Sequence, residues 1–436
     1  MTPVRRRRPF GRFQRDARVF LVTTFVAGAA LSLYWIDFNL YLASLGIPAS
    51  TIGLVATIAA GAGAVAAFPA SAASDRFGRR TIMAAGISVG LFALVGLLLT
   101  EALPLIVVFA AFWSAGQMAL QVVQAPFLTE HSDPSDRNEL FAAQFAIQSV
   151  TSVVAALLGG VGAVAIANLV GLDPAGPGTY RVILLFMAVL LTASLVTIGL
   201  LSDDRPGVIK GPRLVAIGEP AEFPRDPRRS RARMGIIVRD RRRFVRLVLP
   251  GFLISVGAGQ VIPFLSLFVQ RKFGLDLTSL NAVFAITSLG TIAAILAQPR
   301  LARRYGQITS VVIVQAASIP FLVILGFSPV LWMVVASMAI RNSLMNAGNP
   351  IFNAFAMEQV TPSERATLAA AMSVLWQVGW IIGGLWYALL QATIGFYAGY
   401  AVDFVTIIVL YSIATSLYWV WFRPVDRAVL AARLAA

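Results

Sequence analysis

Few side chains in this 436-residue sequence could do chemistry, because only 13% are charged and cysteine is absent. That leaves no thiolate nucleophile, no disulfide framework and no zinc knuckle, and His131, the single histidine, cannot hold a metal alone. What stands out is a set of polar residues at helical spacing inside long apolar runs. Trp113, Gln117, Gln121 and Gln124 share one helical face, and so do Asn342, Asn346, Asn349 and Asn353. Asp37 falls between Tyr34 and Tyr41, Arg341 immediately precedes the asparagines, and Trp376, Gln377 and Trp380 form a further group.

These types suit the binding of a small organic molecule. Amides offer donors and acceptors without charge, indoles stack a sugar or drug ring, arginine receives a carboxylate or phosphate or neutralises Asp37, and a carboxylate in a partly dry cavity can load and release a proton near neutral pH. Each has a plainer alternative: interhelical hydrogen-bond glue for the amides, bundle core for the tryptophans, a wetted outer-leaflet group for Asp37 and structural pairing for Arg341. Gln144, Gln148, Gln260 and Asp403 are further polar candidates.

The elements that must position them are membrane helices. The chain is 58% hydrophobic with a mean hydropathy of +0.79, whereas a soluble domain carries about 25% charged residues. Runs long enough to cross roughly 30 Å of hydrocarbon are predicted at about 19–43, 50–73, 81–100, 103–129, 139–170 and 180–201, and again at about 244–271, 277–299, 308–327, 330–357, 366–394 and 399–422. The predicted fold is therefore all-α, polytopic, with twelve transmembrane helices as two six-helix bundles. The expected organisation is a basic tail over 1–18, a first bundle over 19–201, an Arg/Pro-rich linker over 202–243, a second bundle over 244–422 and a tail over 423–436.

The net charge of +15 belongs to blocks flanking the spans, which argues against a nucleic-acid partner. Nearly all lysines and arginines fall on one side, with only Arg181, Arg271 and Lys272 on the other. The positive-inside rule then places both termini in the cytoplasm and the chain in the inner membrane. No Gly-x-x-x-x-Gly-Lys-[Ser/Thr] loop is present, so ATP is not the expected energy source. No convergent carboxylates or histidines suggest an enzyme.

Adding 228 to a residue number carries Gly46 onto Gly274, Asp75-Arg76-Phe77-Gly78 onto Arg303-Arg304-Tyr305-Gly306, and Glu130 with Pro134-Ser135-Asp136-Arg137 onto Glu358 with Pro362-Ser363-Glu364-Arg365. Two halves in the same orientation imply parallel repeats about an axis normal to the membrane. Ser71 to Arg80 resembles the loop signature of the major facilitator superfamily, Gly-x-x-x-Asp-Arg-x-Gly-Arg-Arg, departing only where Ser71 stands for glycine. The resemblance covers about 19–422 and selects no subfamily.

That resemblance implies a secondary transporter working by alternating access, with spans one, four, seven and ten lining the path. Substrate contacts would come from Tyr34, Asp37, Gln117, Gln121, Arg341, Asn342, Asn346, Asn349, Trp376 and Gln377. It also implies a gate at Asp75, Arg76, Gly78 and Arg79, with Glu130 and Arg137 as partners and Arg304, Glu358 and Arg365 as the second copy. In that gate Asp75 and Arg79 pair in the outward-facing state and let go in the inward-facing one; positive-inside flanking is the alternative. Asp37 resembles the proton-binding carboxylate of coupled members. Efflux of a drug and transport of a sugar or other metabolite both stay open, as does uncoupled facilitation. The expected partners are a small-molecule substrate, protons and membrane lipid, with the chain acting as a monomer and needing no cofactor.

Overall fold

The computed structural model describes residues 13–132, 137–202, 240–288, 305–361 and 364–435. They form twelve helices in chain order: α1 Arg15–Ser44, α2 Ala49–Phe77, α3 Arg79–Leu99, α4 Leu103–Glu130, α5 Arg137–Val170, α6 Pro177–Gly199, α7 Arg241–Phe273, α8 Leu277–Ser288, α9 Gln307–Phe327, α10 Leu331–Glu358, α11 Arg365–Thr393 and α12 Phe396–Ala435. Ten of these are long and apolar enough to cross a membrane. Leu99, Leu169, Val196 and Trp332 are among many large apolar side chains exposed on the outside, which in lipid costs nothing because helices satisfy their own backbone.

α12 continues past Phe422 to Ala435, and α7 already starts at Arg241, where the Asp240 carboxylate accepts from the Arg243 amide at 3.0 Å and caps the helix. The linker over 203–239, the N-terminal 1–12 and the second-copy motif residues Arg303 and Arg304 lie outside the described residues.

The packing repeats as the sequence does. In the first half α1 packs on α5 and α6, and α3 on α4 and α6. In the second half α7 packs on α11 and α12, and α9 on α10 and α12. The turns repeat as well: Gly78, between α2 and α3, has φ 91° and ψ 154°, and Gly306, ahead of α9, has φ 91° and ψ 165°. That region of backbone space is open essentially to glycine alone.

Two seams join the halves, both on the face away from the termini. In one, α2 meets α11: a Cβ on Gly53 would come within 3.1 Å of Ala388 Cβ and 2.7 Å of Tyr387, and Thr57 lies against Gly384. In the other, α5 meets α8: a Cβ on Gly160 would come within 2.7 Å of Asn281 Cβ and 3.2 Å of Thr278 Cα, and Ala156 packs with Ala285 and Ile36. The shift of 228 carries Gly53 onto Asn281, Gly160 onto Ala388, Thr57 onto Ala285 and Ala156 onto Gly384. The seams are the same contact made twice about a pseudo-twofold axis, with roles of the halves exchanged.

Asp276 fixes the start of α8 by accepting from the Thr278 and Ser279 amides at 3.1 and 3.3 Å. The Ser279 hydrogen bonds hold its carboxyl below the usual value against a smaller opposing effect of burial, so this cap persists at neutral pH and loosens only in acid.

Because the seams are one closure, wedging either should open both. Gly53→Leu is expected to make a single Ala285→Cys in this cysteine-free chain react with a maleimide on the order of tenfold faster than in the Gly53 background. Equal rates would show that the seams part independently.

Candidate functional site

Beneath the seams lies a chamber of about 330 Å³ where the halves face each other. α1 contributes Tyr34, Trp35, Phe38 and Asn39, α4 contributes Trp113, Ser114, Gln117 and Gln121, and α11 contributes Trp376, Gln377 and Trp380. Tyr34 stacks on Trp113 at a centroid distance of 4.5 Å and on Phe38 at 4.3 Å, so these rings stiffen one wall. Trp35 meets Trp380 edge-on at 5.8 Å across the two halves. The Trp380 indole nitrogen is buried with no partner among the described residues. A buried donor of that kind is a standing hydrogen-bond vacancy.

α7 completes the chamber because it is broken. Pro263 has no N–H to continue an α-helix, and Ile262–Phe264 form one 3₁₀ turn between Val261 and Leu265. The carbonyls exposed by the break are satisfied from elsewhere: Asn39 Nδ2 donates to the Pro263 oxygen at 2.6 Å and Tyr400 Oη to the Phe264 oxygen at 2.8 Å. Asn39 therefore both lines the chamber and ties the halves together.

The chamber shares Met118, Gln121, Trp376 and Gln377 with a wider cavity of about 980 Å³ that runs between α2, α4, α7, α10 and α11 toward the terminal face. Phe68, Asp75, Phe252 and Asn353 are among its wall residues. A third cavity of about 380 Å³ adjoins the chamber through Leu31, Gln117 and Gln121 and extends between α1, α4 and α5. The path is thus open at the terminal end and sealed at the other.

Asp75 stands at the open mouth. Its carboxylate pairs with Arg79 at 2.7 Å, and Arg79 also reaches Glu130 at 3.2 Å and Ser74 Oγ at 2.6 Å. The pair is formed while the cavity is open on this side, since both residues belong to one bundle and sit four apart around Gly78. The second half keeps the geometry without the charge: Gln307, which the repeat matches to Arg79, donates to Glu358 at 3.3 Å, where Glu358 matches Glu130. Arg76 is exposed over the Phe77 ring. The side chains of Arg137 and Arg365 lie outside the described residues. His131 is held by the Phe127 carbonyl at 2.9 Å and stands 3.8 Å from Asp16.

Of the residues expected to bind substrate, Tyr34, Gln117, Gln121, Trp376 and Gln377 line the chamber. Asp37 does not: it is 3% exposed and points into the α5–α8 seam, where Oδ1 accepts from Asn281 Nδ2 at 3.1 Å and Oδ2 has no partner among the described residues. Arg341 neither pairs with Asp37 nor lines these three cavities; its Nη2 donates to Tyr411 Oη at 2.9 Å and its guanidinium lies over that ring. Asn346 is turned back onto Asn342, donating to its carbonyl at 2.9 Å and its side chain at 3.2 Å, and neither is among the residues lining these three cavities. The Asn349 side chain lies outside the described residues. Sequence reasoning missed Trp35, Asn39 and Pro263, of which only the proline carried a signal, as a helix breaker within a span.

The model for the Major Facilitator Superfamily matches residues 20–384. Among solved structures, a bacterial homologue of the human lysosomal transporter Spinster, inward-facing and occupied, is 14% identical with a TM-score of 0.70, covering 93% of this chain and 96% of its own. The nucleoside transporter NupG is 12% identical with a TM-score of 0.68, covering 94% and 99%. A D-xylose-proton symporter is 12% identical with a TM-score of 0.69, covering 92% and 97%. At these identities the likeness is one of fold. No curated protein matches the sequence.

If Gln307 is the uncharged counterpart of Arg79, Gln307→Arg should restore an ion pair with Glu358. A double-mutant cycle with Glu358→Gln, read by thermal unfolding, is expected to give a coupling of about 0.2–1 kcal/mol, the range of exposed pairs. Zero coupling would mean that the two turns are not equivalent.

Proposed function

The chain belongs to the major facilitator superfamily, a family of transport proteins, and on that premise we propose that it moves a small organic solute across the cytoplasmic membrane by alternating access, coupled to protons through Asp37. Both termini are read as cytoplasmic from the distribution of lysine and arginine, which makes the present conformation inward-facing, the state named for the Spinster homologue. The cycle closes the mouth over Phe68 and Asn353 and parts the two seams.

One observation carries the coupling. The Asp37 carboxylate is buried in a seam that must part, bonded across it to Asn281, with its second oxygen unpartnered. A carboxylate in that position is costly to keep ionised and dry. Parting the seam wets it from the outside, and closing it dries it again, so proton binding and seam closure are thermodynamically linked. Asn281 can donate to the group in either protonation state, which lets the contact reform after each cycle. One of the similar structures is a D-xylose-proton symporter, which supports the same reading here. Among the described residues the chamber walls carry no ionisable group besides the Tyr34 hydroxyl, which supports an uncharged solute.

The test is flux in proteoliposomes of a solute found by screening sugars, nucleosides and aromatic metabolites, with and without a pH gradient. Asp37→Asn is expected to abolish accumulation driven by the gradient while keeping exchange of labelled for unlabelled solute. Gradient-driven accumulation that survives Asp37→Asn would refute the coupling and leave a facilitator.

A further inference from the structure

The third cavity differs in chemistry from the chamber beside it. Its polar wall comes from Thr23 and Thr24 on α1, Gln117, Gln121 and Gln124 on α4, and Gln148 on α5. Thr23 is committed elsewhere, donating to the Val19 carbonyl at 3.1 Å and meeting Thr197 Oγ1 at 2.8 Å. Thr24 is only 8% exposed, and its Oγ1 is buried without a partner among the described residues. Gln117, 7% exposed, stands between the two cavities and lines both. Four primary amides and a hydroxyl gathered on one polar cavity inside a membrane bundle are expensive to leave unsatisfied.

Helix-to-helix glue does not account for them. Amides that pair helices are spent on a group of the facing helix, as Asn39 is on the Pro263 carbonyl; the four glutamines line open volume, and their side chains make no hydrogen bond among the described residues. Each amide both donates and accepts, the pattern that hydroxyl, urea and carboxamide groups match. A carboxylate or ammonium would enter without a counter-charge, because no ionisable residue is on this wall among the described residues. Next door, Tyr34, Trp35, Trp113, Trp376 and Trp380 offer flat faces, and Trp380 adds a buried indole N–H with no partner among the described residues, which suits an aromatic ring bearing an acceptor. The two volumes, 330 and 380 Å³, together fall within the roughly 300–1,000 Å³ of small-molecule sites.

We infer that the cavity between α1, α4 and α5 is a second substrate subsite, and that the solute has two uncharged parts, an aromatic ring held in the chamber and a polyhydroxylated group held by Thr24, Gln117, Gln121, Gln124 and Gln148. Aryl glycosides and nucleosides have this chemistry. The inference rests on the transport reading but not on proton coupling. Gln117 and Gln121, which border both compartments, register the two parts against each other. Recognition by these amides once the cavity closes over a solute is also what separates such a molecule from its components, because an analogue lacking the hydroxyls leaves the amides unsatisfied.

Binding to the purified full-length chain in nanodiscs, read by quenching of its tryptophans, separates the possibilities without requiring flux. The probes are 4-nitrophenyl β-glucoside with its parts 4-nitroanisole and glucose, and uridine with its parts uracil and ribose. At least one joined molecule is expected to bind on the order of a hundredfold more tightly than either part. Thr24→Val and Gln124→Leu, which touch only the side cavity, should each weaken that molecule on the order of tenfold and leave its ring part, 4-nitroanisole or uracil, unchanged. Gln148→Leu gives the same reading should one of these variants fold poorly. Equal binding of joined molecule and parts, binding of neither joined molecule, or insensitivity of the joined molecule to these substitutions would each overturn the subsite. Loss of gradient-driven flux in Asp37→Asn with binding intact would bear on coupling alone.

Discussion

The close approach of two helix pairs, α2 against α11 and α5 against α8, is the contact on which the rest of the molecule depends. Lipid provides no hydrophobic force to press helices together, so association rests on how nearly backbones can touch. Gly53 and Gly160 permit that approach, and the residues opposite them, Ala388 and Asn281, are the repeat partners of Gly160 and Gly53 respectively. Contacts of this kind are short-ranged and add up over area. They hold firmly when in register and vanish within an ångström or two of separation, which suits a closure that must be made and broken in every cycle.

The hydrogen bonds that join the halves gather at the same end: Asp37 to Asn281, Asn39 to Pro263, Thr278 to Gly160 and Gln270 to Tyr180. The strongest charge cluster, Asp75 with Arg79 and Glu130, is at the other end and inside one bundle. Electrostatics therefore stiffen the first bundle as a rigid body, while small-residue contacts and a few neutral or single-carboxylate bonds decide whether the bundles meet. A bundle-to-bundle salt bridge would hold the seam harder but would cost more to separate in a low dielectric.

Much of this was legible from residues alone. The shift of 228 read from three loops reappears as matched turns at Gly78 and Gly306, matched helix pairs and matched seams. The α4 stripe of Trp113, Gln117 and Gln121 does face the path, because helical spacing fixes a face and the bundle axis sets where it points. The α10 stripe divides: Asn353 lines the wide cavity, while Asn342 and Asn346 are turned inward for a reason spacing cannot show. Arg341, the repeat partner of Trp113, turns to Tyr411 within its own bundle, and Asn346 is consumed by Asn342 one turn earlier. Asp37 was rightly singled out as an unusual charge, but its partner lies 244 residues away on α8, and no local pattern reports a contact made through the pseudo-twofold. The break in α7 was visible as Pro263, yet that its freed carbonyl would bind Asn39 depended on the halves meeting.

On the transport reading, closure at the far face and opening at the terminal face are one rigid-body motion about the seams. Distances between paired spin labels at both ends of the α2–α11 pair measure it directly: Ser50→Cys with Thr393→Cys at the sealed end, and Ala72→Cys with Ala370→Cys at the open mouth. Over the transport cycle the account predicts two populations at each end that exchange in opposition, long at the mouth when short at the seal and the reverse. Distances that lengthen together, or an end that stays fixed while solute flux proceeds, would contradict it.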